Sequence, residues 1–337
     1  MVPHADLTHD PGTDVAGRRA AELPYEASPI AVAGGGEVRV GTASWTDPTM
    51  TASGVFYPPE ANTAEERLRH YASRFSVVEV DASYYAIPAP ETARLWVERT
   101  PPGFVFDVKA HALMTGQPSE VKRLPKAIRD ELPGELATKA RIYGKDLPAE
   151  LLDEVWNAFG RAIEPLRQAG KLGAVFLQFP RWVFPSNESR EQILDARRRL
   201  GVEVAAEFRN GSWFNEKNAE RTLRFLEDNR VPYVMVDGPQ GMKSSIPPLA
   251  AVTSAEFAVI RFHGRRADLW EKPNIPVVER FRYLYDEDQL ADWVPRIHEV
   301  ARAAKQTHVL MNNCFGNYGT TNARELADLL REQLGDQ

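Results

Sequence analysis

Cysteine is nearly absent: Cys314 is the single thiol in 337 residues. No intramolecular disulfide can form, and a zinc site built on cysteines is excluded. Such usage fits a reducing compartment, and a cytoplasmic protein is expected. Long apolar runs are also missing. None approaches the roughly 18–20 residues that cross a bilayer, so no membrane partner is expected. The N-terminus lacks the basic start and apolar core of a secretory signal. No strand-like run is followed by GxGxxG, and GxxxxGK[ST] does not occur, which removes the common dinucleotide and P-loop sites. HxH and HExxH are absent as well. Basic excess is lacking, since 41 Lys and Arg face 47 Asp and Glu, a net charge of −6. Bulk attraction to nucleic acid is therefore not expected, and only a local patch would serve such a partner.

What is present is a globular composition, 43% hydrophobic and 26% charged, with ample means to bury a core. Residues 1–36, rich in Pro, Gly, Ala and charge and ending in Gly34-Gly35-Gly36, are expected to be a flexible extension, with one domain over 37–337. From Glu37 onward, short β-branched or aromatic runs alternate with helical periods. Strands are expected at 38–45, 76–85, 104–111, 173–179, 203–209, 232–238, 257–264 and 307–313. Helices are expected at 63–75, 90–100, 149–170, 189–201, 218–230, 287–305 and 321–334. Thr63 with Glu66 reads as a capping box, and Pro90 suits a first helical turn. Between the sixth and seventh strands no helical period is visible. Eight strands alternating with helices predict a (β/α)8 TIM barrel, with an open doubly wound sheet as the weaker alternative. Two connections, 112–148 after the third strand and 265–286 after the seventh, are long enough to serve as lids or binding elements.

Period two along each strand assigns directions, because the apolar face must meet the helices. Glu79, Asp81, Asp107, Lys109, His111, Gln178, Glu207, Arg209, Asp237, Arg261, His263 and Asn312 then point to the barrel axis. Asn313 follows where the chain bends. Five carboxylates stand against three cations. Buried charges cost several kcal/mol unless paired, and a core built only for stability would use Val, Ile and Leu. Barrel enzymes carry their chemistry at the carboxyl ends of the strands. Glu207, Lys109, Asp237, Glu79 and Asp81 are accordingly the candidate catalytic groups. Tyr84, His111, Gln178, Arg209, Trp213, Arg261, His263, Asn312 and Asn313 are the candidate substrate-binding groups.

Three chemistries compete for this set. Acid–base work on a small polar substrate would use carboxylates with separated pKa values and Lys109 to polarise a carbonyl. An anionic substrate would be held by Arg261, Arg265 or Arg266 and the glycine turn "CFGNYG". No cofactor signature exists. A divalent metal on Glu79, Asp81, Glu207, Asp237, His111 or His263 is the second reading, although the inward cations oppose it. The third is a non-catalytic binder, including of single-stranded nucleic acid, stacking rings on Trp45, Tyr84, Tyr85, Trp213, Phe214 or Trp270. Cys314 as a nucleophile ranks below these, since a lone Cys more often fills space.

Seven segments together resemble the DUF72 family, also called YecE-like. They are "VGTASW", "VEVDASYYAIPAPETARLWVERTPPGFVFDVKAH", "FLQFP", "AAEFRNGSW", "VIRFHGR", "FRYLYDEDQL" and "MNNCFGNYGTTNA", and the resemblance runs from Val38 to about Leu334. It implies a TIM barrel and no established activity. Asn210 and Gly116 stand where the family commonly shows His, and the "NNCFGNYG" segment departs from the family's usual ending. Fewer histidines at the mouth disfavour a metal site.

Overall fold

The computed structural model describes residues 10–24 and 26–335. Eight parallel strands form the barrel: β1 Glu37–Thr42, β2 Val77–Val80, β3 Val105–Lys109, β4 Leu172–Gln178, β5 Val204–Glu207, β6 Val234–Asp237, β7 Phe257–Phe262 and β8 Gln306–Met311. Their path is β5-β4-β3-β2-β1-β8-β7-β6. Chain order is thus followed around a nearly closed (β/α)8 barrel, as expected from the alternation. The chain divides into two compact units. One holds the residues up to Glu79 and from Leu223 on, the other Val80–Thr222.

In the first unit β1 pairs with β8 along its whole length, Glu37 opposite Gln306 through Thr42 opposite Met311. β7 pairs with β8 on one side and β6 on the other. In the second unit β4 pairs with β3 and with β5. The β3–β4 register shifts between Phe106 and Val108, and there the Asp107 carboxylate accepts from the Ala174 N–H at 2.9 Å. This takes the place of a regular ladder bond, so the Asp107 carboxylate serves the sheet.

Helices follow the strands: α2 Ala64–Ala72, α3 Pro90–Glu98, α4 Ala149–Gln168, α5 Asn187–Leu200, α6 Ala219–Asp228, α7 Val294–Ala303 and α8 Tyr318–Gly335. The capping box is present, with Thr63 N–H donating to Glu66 at 2.9 Å and Glu66 N–H to the Thr63 hydroxyl at 3.2 Å. Pro90 opens α3. Residues 238–256 contain no helix, so the sixth crossover is irregular. The single helix expected over 287–305 divides into Glu287–Ala291 and α7. Pro295 has no N–H to donate to Ala291, and its ring would crowd that carbonyl.

Both long connections are structured. The one after β3 holds an antiparallel pair, Ser119–Glu120 with Arg141–Ile142, and short helices at Lys126–Asp130 and Gly134–Ala137. The one after β7 holds short helices at Ala267–Trp270 and Val277–Arg280.

The stretch ahead of Glu37 differs from the flexible extension expected of it. Pro11–Ala21 forms a helix, here α1, and Ile30–Ala31 pairs antiparallel with the start of β1. Ala16 is buried with Phe315 and Tyr318, and Arg19 grips Glu325 through two bonds of 2.7 Å. Tertiary contacts, rather than helical propensity, hold such a short helix. Gly36 is not a hinge either: a Cβ there would lie 2.2 Å from the Lys305 carbonyl oxygen. The rest of that extension, residues 1–9 and Tyr25, lies outside the described residues.

Candidate active site

Each inward carboxylate at a strand end is matched with a cation. In the first unit Glu79 and Arg261 are both fully buried and joined side by side, Nε to Oε2 at 2.9 Å and Nη2 to Oε1 at 2.8 Å. Asp237, at the end of β6, accepts four hydrogen bonds. Arg265 donates Nε at 2.9 Å and Nη2 at 2.7 Å, the Tyr285 hydroxyl donates at 2.7 Å and the Trp293 indole at 2.8 Å. A carboxylate that accepts four bonds has no lone pair to spare. Burial and then the Asp237 charge push the Tyr285 phenol well up, so it stays a donor. Arg265 in turn is raised by its bonds to Asp237. Beside this cluster lies a cleft of about 350 Å³ lined by Arg265, Trp293, Arg296 and Gly238. His263 meets the Asn312 amide at 2.9 Å.

The second unit carries a continuous polar chain. Lys109 Nζ lies 2.9 Å from Asp81 Oδ1 and 4.8 Å from the centre of the Tyr84 ring. The Tyr84 hydroxyl donates to Gln117 Oε1 at 2.8 Å, and Gln117 Nε2 donates to the Gln178 carbonyl at 3.0 Å. Arg209 donates to Gln178 Oε1 at 3.4 Å and to Glu207 at 2.6 Å. Burial, then Tyr85 and Asp81, push the Tyr84 phenol upward, which keeps it protonated as a donor. The Asp81 side chain is 31% exposed and that of Lys109 11%. Among the described residues Asp81 Oδ2 accepts no hydrogen bond, and Lys109 retains two N–H groups. Glu207, in contrast, is fully enclosed.

Several expected residues lie elsewhere. Trp213 is fully buried, its ring 4.2 Å from that of Phe208 and its indole N–H donating to the Val183 carbonyl at 2.9 Å. It has no surface to offer a ligand. Trp45 and Phe214 are also core residues. Asn313 is buried, its amide donating to Tyr283 and Asn322, so it braces the connection after β7. His111 is buried against Ser119, its Nδ1 lacks a partner, and burial lowers its pKa to about 4, leaving it neutral. Arg266 pairs with exposed Asp268. Gln117 was not anticipated, because it lies in the connection after β3 where strand periodicity says nothing. Trp182 and Phe184 were also missed; they follow β4 and are 49% and 60% exposed.

Among the described residues no group of three or more His, Cys, Asp or Glu is arranged to hold a metal ion. The ion pairs bear on this, since Glu79, Asp81, Glu207 and Asp237 each already face a cation. No described helix is long and apolar enough to cross a membrane.

A family model described as "Protein of unknown function DUF72" matches residues 39–337. The chain is 30% identical over 298 residues to the UPF0759 protein YunF of Bacillus subtilis (strain 168), covering 87% of this chain and 94% of that protein. Among solved structures it is similar to a DUF72 family protein from Thermotoga maritima MSB8, at 27% identity and a TM-score of 0.67 over 87% of this chain and 99% of that one. A DUF72 family protein from Enterococcus faecalis v583 gives 26% and 0.68 over 87% and 95%.

Proposed function

The chain belongs to the DUF72 family, and because that family is described as one of unknown function we propose, from the site itself, acid–base chemistry on a small polar substrate at the Lys109–Asp81 pair. The observation that carries this reading is a partly open ammonium–carboxylate pair resting on the Tyr84 ring and continued by Gln117 and Gln178 to Arg209. A structural salt bridge needs neither the spare N–H groups nor the spare carboxylate oxygen. A carbonyl oxygen placed against Lys109 would be polarised by the ammonium. Asp81 Oδ2 would then take a proton from the neighbouring carbon or hydroxyl, the usual division of labour between electrophile and base. Glu207 holds Arg209 and is a positioning residue, while Gln178 and Arg209 address hydroxyl or anionic groups of the substrate.

The test follows deuterium wash-in from D2O by NMR across a panel of small hydroxy-carbonyl compounds, phosphorylated and free. At least one compound should exchange, and Lys109→Met should slow it at least about 100-fold, the usual contribution of a positioned proton-transfer group. Exchange that survives Lys109→Met, or no exchange with any compound, overturns the proposal. Exposed Tyr85, Trp182 and Phe184 support a second reading, stacking of a base or sugar ring. Oligonucleotide titration monitored by tryptophan fluorescence tests it, with loss of quenching in Trp182→Ala as the expected outcome.

A further inference from the structure

Helix α1 precedes the region matched by the family model, and its first turn brings a carboxylate to the connections after β7 and β8. Asp10 caps the helix, accepting from the Thr13 N–H at 2.8 Å and its hydroxyl at 3.1 Å. The same carboxylate accepts from the Tyr318 hydroxyl at 2.8 Å and pairs with the Arg282 guanidinium. Arg282 belongs to the connection after β7, and Tyr318 opens α8 after β8. In (β/α)8 barrels these two connections commonly hold phosphate.

Asp10 is buried. Burial alone would raise its pKa, but the Tyr318 hydroxyl, both Thr13 donors and Arg282 outweigh that and hold it below the ordinary carboxylate value. It is therefore an anion enclosed among donors from two other segments. Capping does not require this, because Ser or Asn caps a helix equally well without a charge. Arg282 is set in place independently, 4.4 Å from the centre of the Phe315 ring. Glycines permit the close fit: a Cβ on Gly12 would fall 1.7 Å from the Tyr318 oxygen, and one on Gly316, at φ +54°, 2.7 Å from the Thr13 hydroxyl.

We infer that Arg282 and the Tyr318 hydroxyl form a phosphoryl-binding site, which α1 closes by placing the Asp10 carboxylate in it as an internal competitor. An intramolecular competitor acts at an effective concentration in the millimolar range, so it masks a weak site without abolishing it. The inference does not depend on the Lys109–Asp81 reading, since it concerns different residues and uses binding rather than turnover.

The experiment is calorimetric titration of inorganic phosphate into the full chain. Asp10→Ser keeps a capping oxygen while removing the charge. It should bind phosphate at least about tenfold more tightly than the wild type, and Asp10→Ser/Arg282→Met should lose that gain. Ala16→Glu, which unseats α1 from Phe315 and Tyr318 but retains the carboxylate, should also gain affinity and decides the matter if Asp10→Ser does not fold. Equal phosphate affinity in wild type and both single variants, no binding in any of them, or a gain that survives loss of Arg282 overturns the inference.

Discussion

Replacing Arg261 by methionine strips a fully enclosed carboxylate of its guanidinium. Glu79 and Arg261 share two bonds of 2.8 and 2.9 Å with neither side chain exposed. Intact, such a pair adds little net stability, because desolvation offsets attraction. Broken, it leaves a buried carboxylate without this guanidinium, at a cost of about 3–5 kcal/mol. At roughly 2 °C per kcal/mol for a chain of this size, the thermal midpoint should fall by about 6–10 °C. Glu79 can escape part of this cost by taking a proton. In the variant its folded pKa is raised above the unfolded value, so this stability is present at low pH and lost as pH rises through the folded pKa. The deficit against wild type should therefore be smaller near about pH 5 than near about pH 8. Glu79→Met/Arg261→Met, which removes both charges, should recover at least half of the loss. Thermal unfolding followed by circular dichroism at the two pH values reads all three effects. A single variant within about 2 °C of wild type, or a double variant no better than the single, would refute the account.

Two further outcomes follow from the geometry. His111 is neutral in the fold, with a pKa lowered to about 4 by burial, against about 6.5 unfolded. Stability is complete above the unfolded value and is lost as pH falls from about 6.5 to 4, by at most roughly 3 kcal/mol; His111→Gln should flatten denaturant midpoints measured across that window. Gly41 lies in β1 where a Cβ would sit 2.1 Å from the Val77 carbonyl oxygen. Gly41→Ala should therefore cost about 1–3 kcal/mol in urea unfolding, and a neutral result would mean that β1 and β2 separate freely.

The barrel was legible because β-branched runs and helical periods are local signals, and eight strand-like runs alternating with seven helical periods leave few alternatives. The inward carboxylates were legible by the same parity. Their partners were not. Asp237 is satisfied by Arg265, Tyr285 and Trp293, lying 28, 48 and 56 positions further on. No periodicity reaches that far, so a side chain with every acceptor position filled looked like a base. Trp213 follows a strand end as a mouth residue would, yet the Asn210–Ser212 turn folds it back onto Phe208. Gly36 was misjudged because composition cannot separate glycine that grants freedom from glycine that grants close approach. Helix α1 was invisible for a related reason: its stability lies in Asp10, Ala16 and Arg19 meeting distant residues, while its own sequence is weakly helical.

The close pairing of charges also bears on how a ligand arrives. Opposite charges 2.6–2.9 Å apart, as in Glu207–Arg209, Asp237–Arg265, Glu79–Arg261 and Asp81–Lys109, act at a distance as small dipoles whose fields fade faster than that of a lone charge. Over a Debye length of about 8 Å little of them is left for an approaching molecule to sense. Encounter is then governed by diffusion rather than by long-range steering, and its rate should be nearly indifferent to ionic strength. The charges begin to act only after contact, when a ligand's own polar groups exchange with one half of a pair.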